Sequence, residues 1–249
     1  MTAKAEYGNW ISKRFIYIPA IVGFMFCALG LLFSELLIPA LLFLLVSAYF
    51  AYARGLLAGR ANVQGRIVEL VLSHLDWSGD GRALDIGCGS ASLTIKLAQK
   101  HLNAQVVGVD YWGGNWGYSK EMCERNAKIE GVIDRITFQR TSASALPFDD
   151  EYFDAVVSNL VFHEVRDSSD KRKVVHEALR VLKKGGKFSF QDVFLLRRIY
   201  GDIGDLLTTI QSWGIAKVEF VETRKIASIP MTLRLPFMFA KIGIITGEK

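Results

Sequence analysis

From Phe15 to Ala53 the chain runs for 39 residues with one charge, Glu35. The run breaks at Ser34-Glu35 into Phe15–Phe33, 19 residues, and Leu36–Ala53, 18 residues. Each is near the lower limit for a helix crossing a bilayer core, about 17–25 residues. Backbone groups in lipid must bond internally, so two helices joined by a tight turn are the expected form. Gly23, Ala28 and Gly30 are small enough to let the helices approach closely, and Pro19 and Pro39 are tolerated in such segments. Beyond Asn62 the pattern changes. Helical spacing over Asn62–Leu75 gives way to short apolar strands at Arg82–Ile86, Gln105–Val109, Arg135–Arg140, Phe153–Ser158, Lys187–Val193, Lys217–Val221 and Lys241–Thr246. Helices are expected between them over Ser90–Lys100, Ser119–Glu130, Ser169–Leu182 and Ile203–Trp213, the third stopped by Gly185-Gly186. Such alternation predicts an open α/β sheet. The chain thus reads as an anchor over residues 1–60 and an α/β domain over 61–249.

Composition fits that division. The mean hydropathy of +0.23 averages a nearly uncharged segment with an ordinary domain, and it excludes an intrinsically disordered chain. Three cysteines, Cys27, Cys88 and Cys123, make no disulfide framework and no C-x-x-C pair, so no metal is expected. Thirty Lys+Arg against 25 Asp+Glu give +5, but without a basic run, so no nucleic-acid partner is expected. Lys4, Lys13 and Arg14 precede the apolar run, Arg54, Arg60 and Arg66 follow it, and its turn has neither Lys nor Arg. The positive-inside rule then puts both ends, and the domain, on the cytoplasmic side of a membrane. Trp10, Tyr17, Tyr49 and Tyr52 suit the interfacial belt. A hairpin dipping into one leaflet fits the same short segments. A signal peptide cut near Ala51-Tyr52-Ala53 fits poorly, because its apolar core is usually about 7–15 residues.

The candidate chemistry lies at the ends of the first two strands. Leu84-Asp85-Ile86-Gly87-Cys88-Gly89-Ser90-Ala91 closes a strand and opens a helix. Glycines there let backbone approach a ligand, and the helix N-terminus faces it. Asp110 ends the second strand 21 residues after Gly89, where an acid accepts hydrogen bonds from ribose hydroxyls. A nicotinamide dinucleotide site would place its third glycine at Ser92, and its pyrophosphate would be repelled by Asp85. A ligand bearing an amino group would be attracted by Asp85, and S-adenosylmethionine has that group together with a ribose and an adenine.

From Arg82 onward the sequence resembles the class I S-adenosylmethionine-dependent methyltransferases of the quinone- and sterol-methyltransferase group. Four blocks carry the resemblance: Leu84-Asp85-Ile86-Gly87-Cys88-Gly89; Val107-Gly108-Val109-Asp110; Ala145-Leu146-Pro147-Phe148 leading into Phe153–Asn159; and His176–Gly186. It implies a Rossmann-like sheet of seven strands, the last antiparallel. It also implies S-adenosylmethionine as cofactor, with Asp85, Gly87, Cys88 and Gly89 at its methionine end and Asp110 on its ribose. Ser142-Ala143 stand where the family has an acid and an alanine beside the adenine, and Ala91 where a third glycine is common. Asn159 and His163 follow the fourth strand, where methyl group and acceptor meet. His163 is a candidate general base, needed only if the acceptor carries a proton.

Three segments depart from this frame. Tyr111–Tyr118, rich in aromatics and glycine, reads as a lid or adenine cover, or as a surface loop, with Tyr111 the candidate cofactor contact. Phe194–Tyr200 and Ile229–Phe239 set apolar residues beside arginines, as an entrance facing a lipid monolayer would, or as plain packing would. The expected protein is a membrane-anchored methyltransferase with a small, apolar acceptor and membrane lipid as partners. Its rivals are a catalytically degenerate, membrane-tethered binding module and a nicotinamide-dependent oxidoreductase.

Overall fold

The computed structural model of the chain describes residues 3–59, 61–113, 117–226, 229–235 and 239–249. Arg60, Gly114–Trp116 of the aromatic loop and Pro236–Met238 of the late apolar segment lie outside the described residues. The chain divides into two units, residues 8–65 and residues 3–7 together with 66–249.

The first unit is a helical hairpin. Helix α1 (Arg14–Gly30) and helix α2 (Leu37–Ala58) are joined through a 3-10 turn at Ser34–Leu36. α1 ends three residues before Phe33, whereas α2 continues past Ala53. The overrun carries Arg54 at the open end, where its guanidinium bonds the Ile11 carbonyl and its own carbonyl accepts from Asn9 Nδ2. Close approach of the helices rests on small residues, since a Cβ added to Gly23 would lie 2.9 Å from the Leu44 side chain. Ser47 Oγ donates to the Ile16 carbonyl at 2.8 Å, and Phe26 stacks on Phe43. Large apolar side chains face outward on both helices, including Phe24, Met25, Ile38 and Leu42. Among the described residues one helical segment, Ser34–Ala58, is long and apolar enough to cross a membrane; Arg14–Gly30 is apolar but shorter, at 17 residues.

The second unit is re-entered within helix α3 (Val63–Ser73). It is a seven-stranded sheet of β1 (Gly81–Ile86), β2 (Ala104–Asp110), β3 (Ile136–Arg140), β4 (Phe153–Asn159), β5 (Leu182–Asp192), β6 (Lys217–Glu222) and β7 (Gly243–Glu248). The spatial order is β3-β2-β1-β4-β5-β7-β6, with β7 antiparallel to both neighbours. Between the strands lie α4 (Ser92–Lys100), α5 (Lys120–Ile129), α6 (Lys171–Arg180), the short α7 (Arg197–Tyr200) and α8 (Ile203–Ser212). Side-chain caps begin three of them: Ser119 on Met122 N, Asp170 on Arg172 N and Asp202 on Gly204 N. Strand order reverses between β1 and β4, so a crevice opens beyond the carboxyl ends of these two strands.

Gly185-Gly186 do not stop α6. That helix ends at Arg180, and the glycines lie within β5, which starts at Leu182. Gly185 takes φ +75°, and the pairing of β5 with β4 shifts register there. The pair is therefore an irregularity inside a strand, where glycine supplies the left-handed conformation.

Residues 3–7 form a strap on this unit. Glu6 N donates to Asn126 Oδ1 at 2.9 Å, and Asn126 Nδ2 donates to the carbonyls of Glu6 and Ser90 at 2.8 and 3.0 Å. Ser90 Oγ donates to the Tyr7 carbonyl at 3.0 Å. Asn126 is fully buried, so the strap supplies hydrogen bonds that water cannot.

Candidate functional site

The turn from β1 into α4 is built on left-handed backbone. Gly87, Gly89 and Ala91 have φ of +73°, +57° and +69°. Glycine takes such angles freely, whereas Ala91, at the place of the third glycine, takes one at a cost of about 1–2 kcal/mol. Gly87 is also required by space, because a Cβ there would lie 2.2 Å from Val161 Cγ2. Gly87 N and Cys88 N both donate to the Val109 carbonyl, at 2.7 and 3.0 Å, tying the turn to the end of β2.

Asp110 reaches back onto that turn. Its Oδ2 accepts from Gly89 N at 2.9 Å and its Oδ1 from Trp112 N at 2.7 Å. Trp112 Nε1 and Cys123 Sγ both donate to the Gly89 carbonyl, at 3.0 and 3.1 Å. Asp85 lies below the turn, 1% exposed, with Thr94 Oγ1 donating to its Oδ2 at 2.6 Å. Burial pushes this carboxyl up to about 7; the Thr94 bond opposes the shift and the Asp110 charge adds to it. Burial, with Cys123 and the two carboxylates nearby, pushes the Cys88 thiol well up. A thiolate is thus scarce at neutral pH, and Cys88 acts as a small filler.

Asp85, Gly87, Cys88, Gly89 and Asp110 are therefore gathered in one cradle. Thr141 N bonds the Asp110 carbonyl at 3.0 Å, which brings Ser142 and Ala143 to the same sheet edge. Ala143 packs in the core, and Ser142 Oγ pairs with Ser144 Oγ at 2.9 Å. Hydrogen bonds from Ser142 and Ser144 hold the exposed Asp167 below the usual carboxylate range. An acid thus meets Ser142 from a loop after β4, an approach that sequence gave no sign of. Tyr111 is 63% exposed, with the Arg140 guanidinium over its ring and Arg140 Nε donating to its carbonyl.

Asn159 ends β4 and its Oδ1 accepts from Gln191 Nε2 at 3.2 Å. Ser158 pairs with Ile86 across the sheet, so Asn159 follows directly beside the glycine turn. His163 sits in a 3-10 turn, Phe162–Glu164, whose Phe162 is fully buried edge-on against Phe190. Its Nδ1 lies 2.6 Å from Oδ1 of Asp192, the last residue of β5. Asp192 is fully buried and also accepts from His163 N and Val193 N. Phe194 and Tyr200 pack in the core with ring centroids 4.9 Å apart, while Arg197 and Arg198 are exposed. Burial and the neighbouring Asp192 push the Tyr200 phenol far up. Sequence reasoning singled out neither Asp192, which it placed inside the fifth apolar strand Lys187–Val193, nor Tyr200 by itself, the last residue of the segment Phe194–Tyr200.

The arrangement fits S-adenosylmethionine: a glycine-lined approach, a carboxylate for a ribose, and a buried acid with acceptor capacity for an ammonium group. Comparison with known proteins agrees. Residues 84–190 match the family model described as a methyltransferase domain. The methyltransferase GfsG of Streptomyces halstedii is 27% identical over 151 residues, covering 60% of this chain and 50% of that protein. The ubiquinone/menaquinone biosynthesis C-methyltransferase UbiE of Geobacter sulfurreducens is 32% identical over 132 residues, 50% of this chain and 48% of its own length. The chain thus spans about half the length of the curated relatives it matches. A solved geranyl diphosphate methyltransferase, in complex with GPP and sinefungin, superposes with a TM-score of 0.53 at 16% identity, over 73% of this chain and 76% of that one, a likeness of fold. Over residues 84–190 the chain is thus similar to S-adenosylmethionine-dependent methyltransferases.

Proposed function

We propose that the chain is a membrane-anchored enzyme that moves a methyl group from S-adenosylmethionine to a small, apolar acceptor on the cytoplasmic face. The observation that carries this is the cradle, in which Asp110 and the left-handed Gly87–Ala91 turn are locked together by the Gly89 N–Asp110 bond. When bound, the cofactor supplies an electrophilic methyl on a sulfonium. The chain's own residues then bind and align. Asp85 faces the ammonium, Asp110 the ribose and Ser142 the adenine, while Asn159 and His163 border the acceptor. Alignment and exclusion of water do most of the work in such an in-line displacement.

Membrane anchoring is supported by the outward apolar side chains on both hairpin helices and by Lys13, Arg14 and Arg54 at their open ends. Quinone methylation by relatives such as UbiE supports an apolar acceptor. Full-length protein in detergent should be stabilised by S-adenosylhomocysteine and should transfer labelled methyl to a component of a total lipid extract. Stabilisation by NAD(H) without any by S-adenosylhomocysteine would overturn the reading. A reporter fused after Lys249 should be inaccessible from outside the cell.

A further inference from the structure

We infer that Asp192 is a positioning residue that fixes His163 as the base for a hydroxyl acceptor, so that the methyl group is delivered to oxygen. The inference rests on the methyltransferase reading above and deepens it.

The pair is assembled from two strands' ends. Leu160 N bonds the Gln191 carbonyl at 2.7 Å, which sets the turn holding His163 against the last residues of β5. Phe162, locked in the core, fixes that turn from within. Val161, two residues before His163, is the side chain pressed against Gly87. The histidine therefore stands beside the cradle.

The chemistry of the pair is specific. A fully buried carboxylate requires a partner, and here one side-chain partner is a histidine, which releases its proton near neutral pH, unlike Lys or Arg. Asp192 already accepts two backbone N–H groups, so it acts as an acceptor and the Nδ1 hydrogen of His163 points at it. That tautomer leaves the lone pair on Nε2. The charged and titratable groups facing the ring are Asp192 from β5, Glu164 on its own turn with Oε1 3.9 Å from Nε2, and Lys171 from α6; Tyr200 stands behind Asp192. Burial pulls His163 down, but the Asp192 bond and charge, aided by Glu164, outweigh it and raise the imidazole. The ring is thus a stronger base than a free histidine.

A hydroxyl acceptor uses one such base once. Its O–H proton passes to Nε2, the oxygen–methyl bond forms as the methyl–sulfur bond breaks, and the electron pair leaves on sulfur as S-adenosylhomocysteine. A thioether has no proton to give, a thiol with an ordinary pKa of about 8.5 ionises without such a base, and an amine attacks through its lone pair and sheds its proton only afterwards. A ring carbon needs a base at a second position to remove its hydrogen after the methyl arrives. The other three histidines do not serve, since His74 bonds the Leu70 carbonyl, His101 packs on Trp77 and His176 on Trp213.

The test uses full-length protein in detergent. With 13C-methyl S-adenosylmethionine and total lipid extract, the label is expected at the carbon shift of an oxygen-bound methyl. Label on carbon, nitrogen or sulfur would overturn this inference alone, whereas no transfer by the wild type would overturn the methyltransferase reading and this inference with it. Without cofactor, NMR titration should find His163 losing its proton at a higher pH than a free histidine. D192N should lower that titration by about one pH unit or more and move the acid limb of the pH–rate profile with it. H163Q, whose amide can still donate to Asp192, should keep S-adenosylhomocysteine stabilisation and lose about 100-fold or more in rate. An unmoved His163 titration in D192N, or H163Q retaining a tenth of wild-type rate, would reduce the pair to a structural contact.

Discussion

At Asp85 the core holds a carboxylate whose folded-state value is raised to about 7 from an ordinary 3.8. A raised acid favours folding while it is protonated. Its ionisation costs stability as pH rises through about 7, and the cost is absent below its ordinary value. Asp85→Asn removes the titration while keeping the shape. Without cofactor the variant should melt above wild type at about pH 8, by less at about pH 5, and the two curves should meet only near the ordinary value of 3.8. It should also bind S-adenosylhomocysteine about 10-fold or more weakly, because a hydrogen bond to a charged group contributes about 1.5–3 kcal/mol. Equal melting at both pH values would show that Asp85 is ionised without penalty.

Each element forms for local reasons, and these were largely legible. The strand–glycine–helix passage at Leu84–Ala91 and the acid at Asp110 announce themselves by spacing, and Gly89 N and Asp110 do meet. The caps at Ser119, Asp170 and Asp202 are short-range signals too. What stayed hidden depends on pairing across the sheet. Asp192 and His163 are 29 residues apart, and only the register of β4 against β5 brings them together. Gly185-Gly186 look like a helix stop because a left-handed residue inside a strand leaves the same letters as a cap. In the hairpin, a Cβ on Gly23 of α1 would press on the Leu44 side chain and the Ala40 carbonyl of α2, so Gly23→Leu should force Leu44 and α2 outward. A lower melting temperature in detergent than for a Gly55→Leu control, where open space surrounds the glycine, is the expected reading.

Over the whole molecule, the order of the two units along the chain differs from their order as folded bodies. Residues 3–7 lie on the sheet unit, the hairpin follows, and the chain returns at Arg66. In covalent terms the hairpin is an insertion and not an extension. A version made by cutting before Arg66 would discard the strap as well as the hairpin. Asn126 would then keep the Ser90 carbonyl but lose both Glu6 bonds, and Ser90 Oγ would lose the Tyr7 carbonyl. Leaving buried polar atoms unpaired costs about 1–3 kcal/mol, and each kcal/mol is about 2–4 °C of melting temperature at this size. The bare 66–249 fragment should therefore melt several degrees below a version in which residues 3–7 rejoin Arg66 through a flexible linker. Equal melting would assign the strap no share in stability. A shortened gene meant to remove the apolar hairpin would, by the same cut, loosen the glycine turn between β1 and α4.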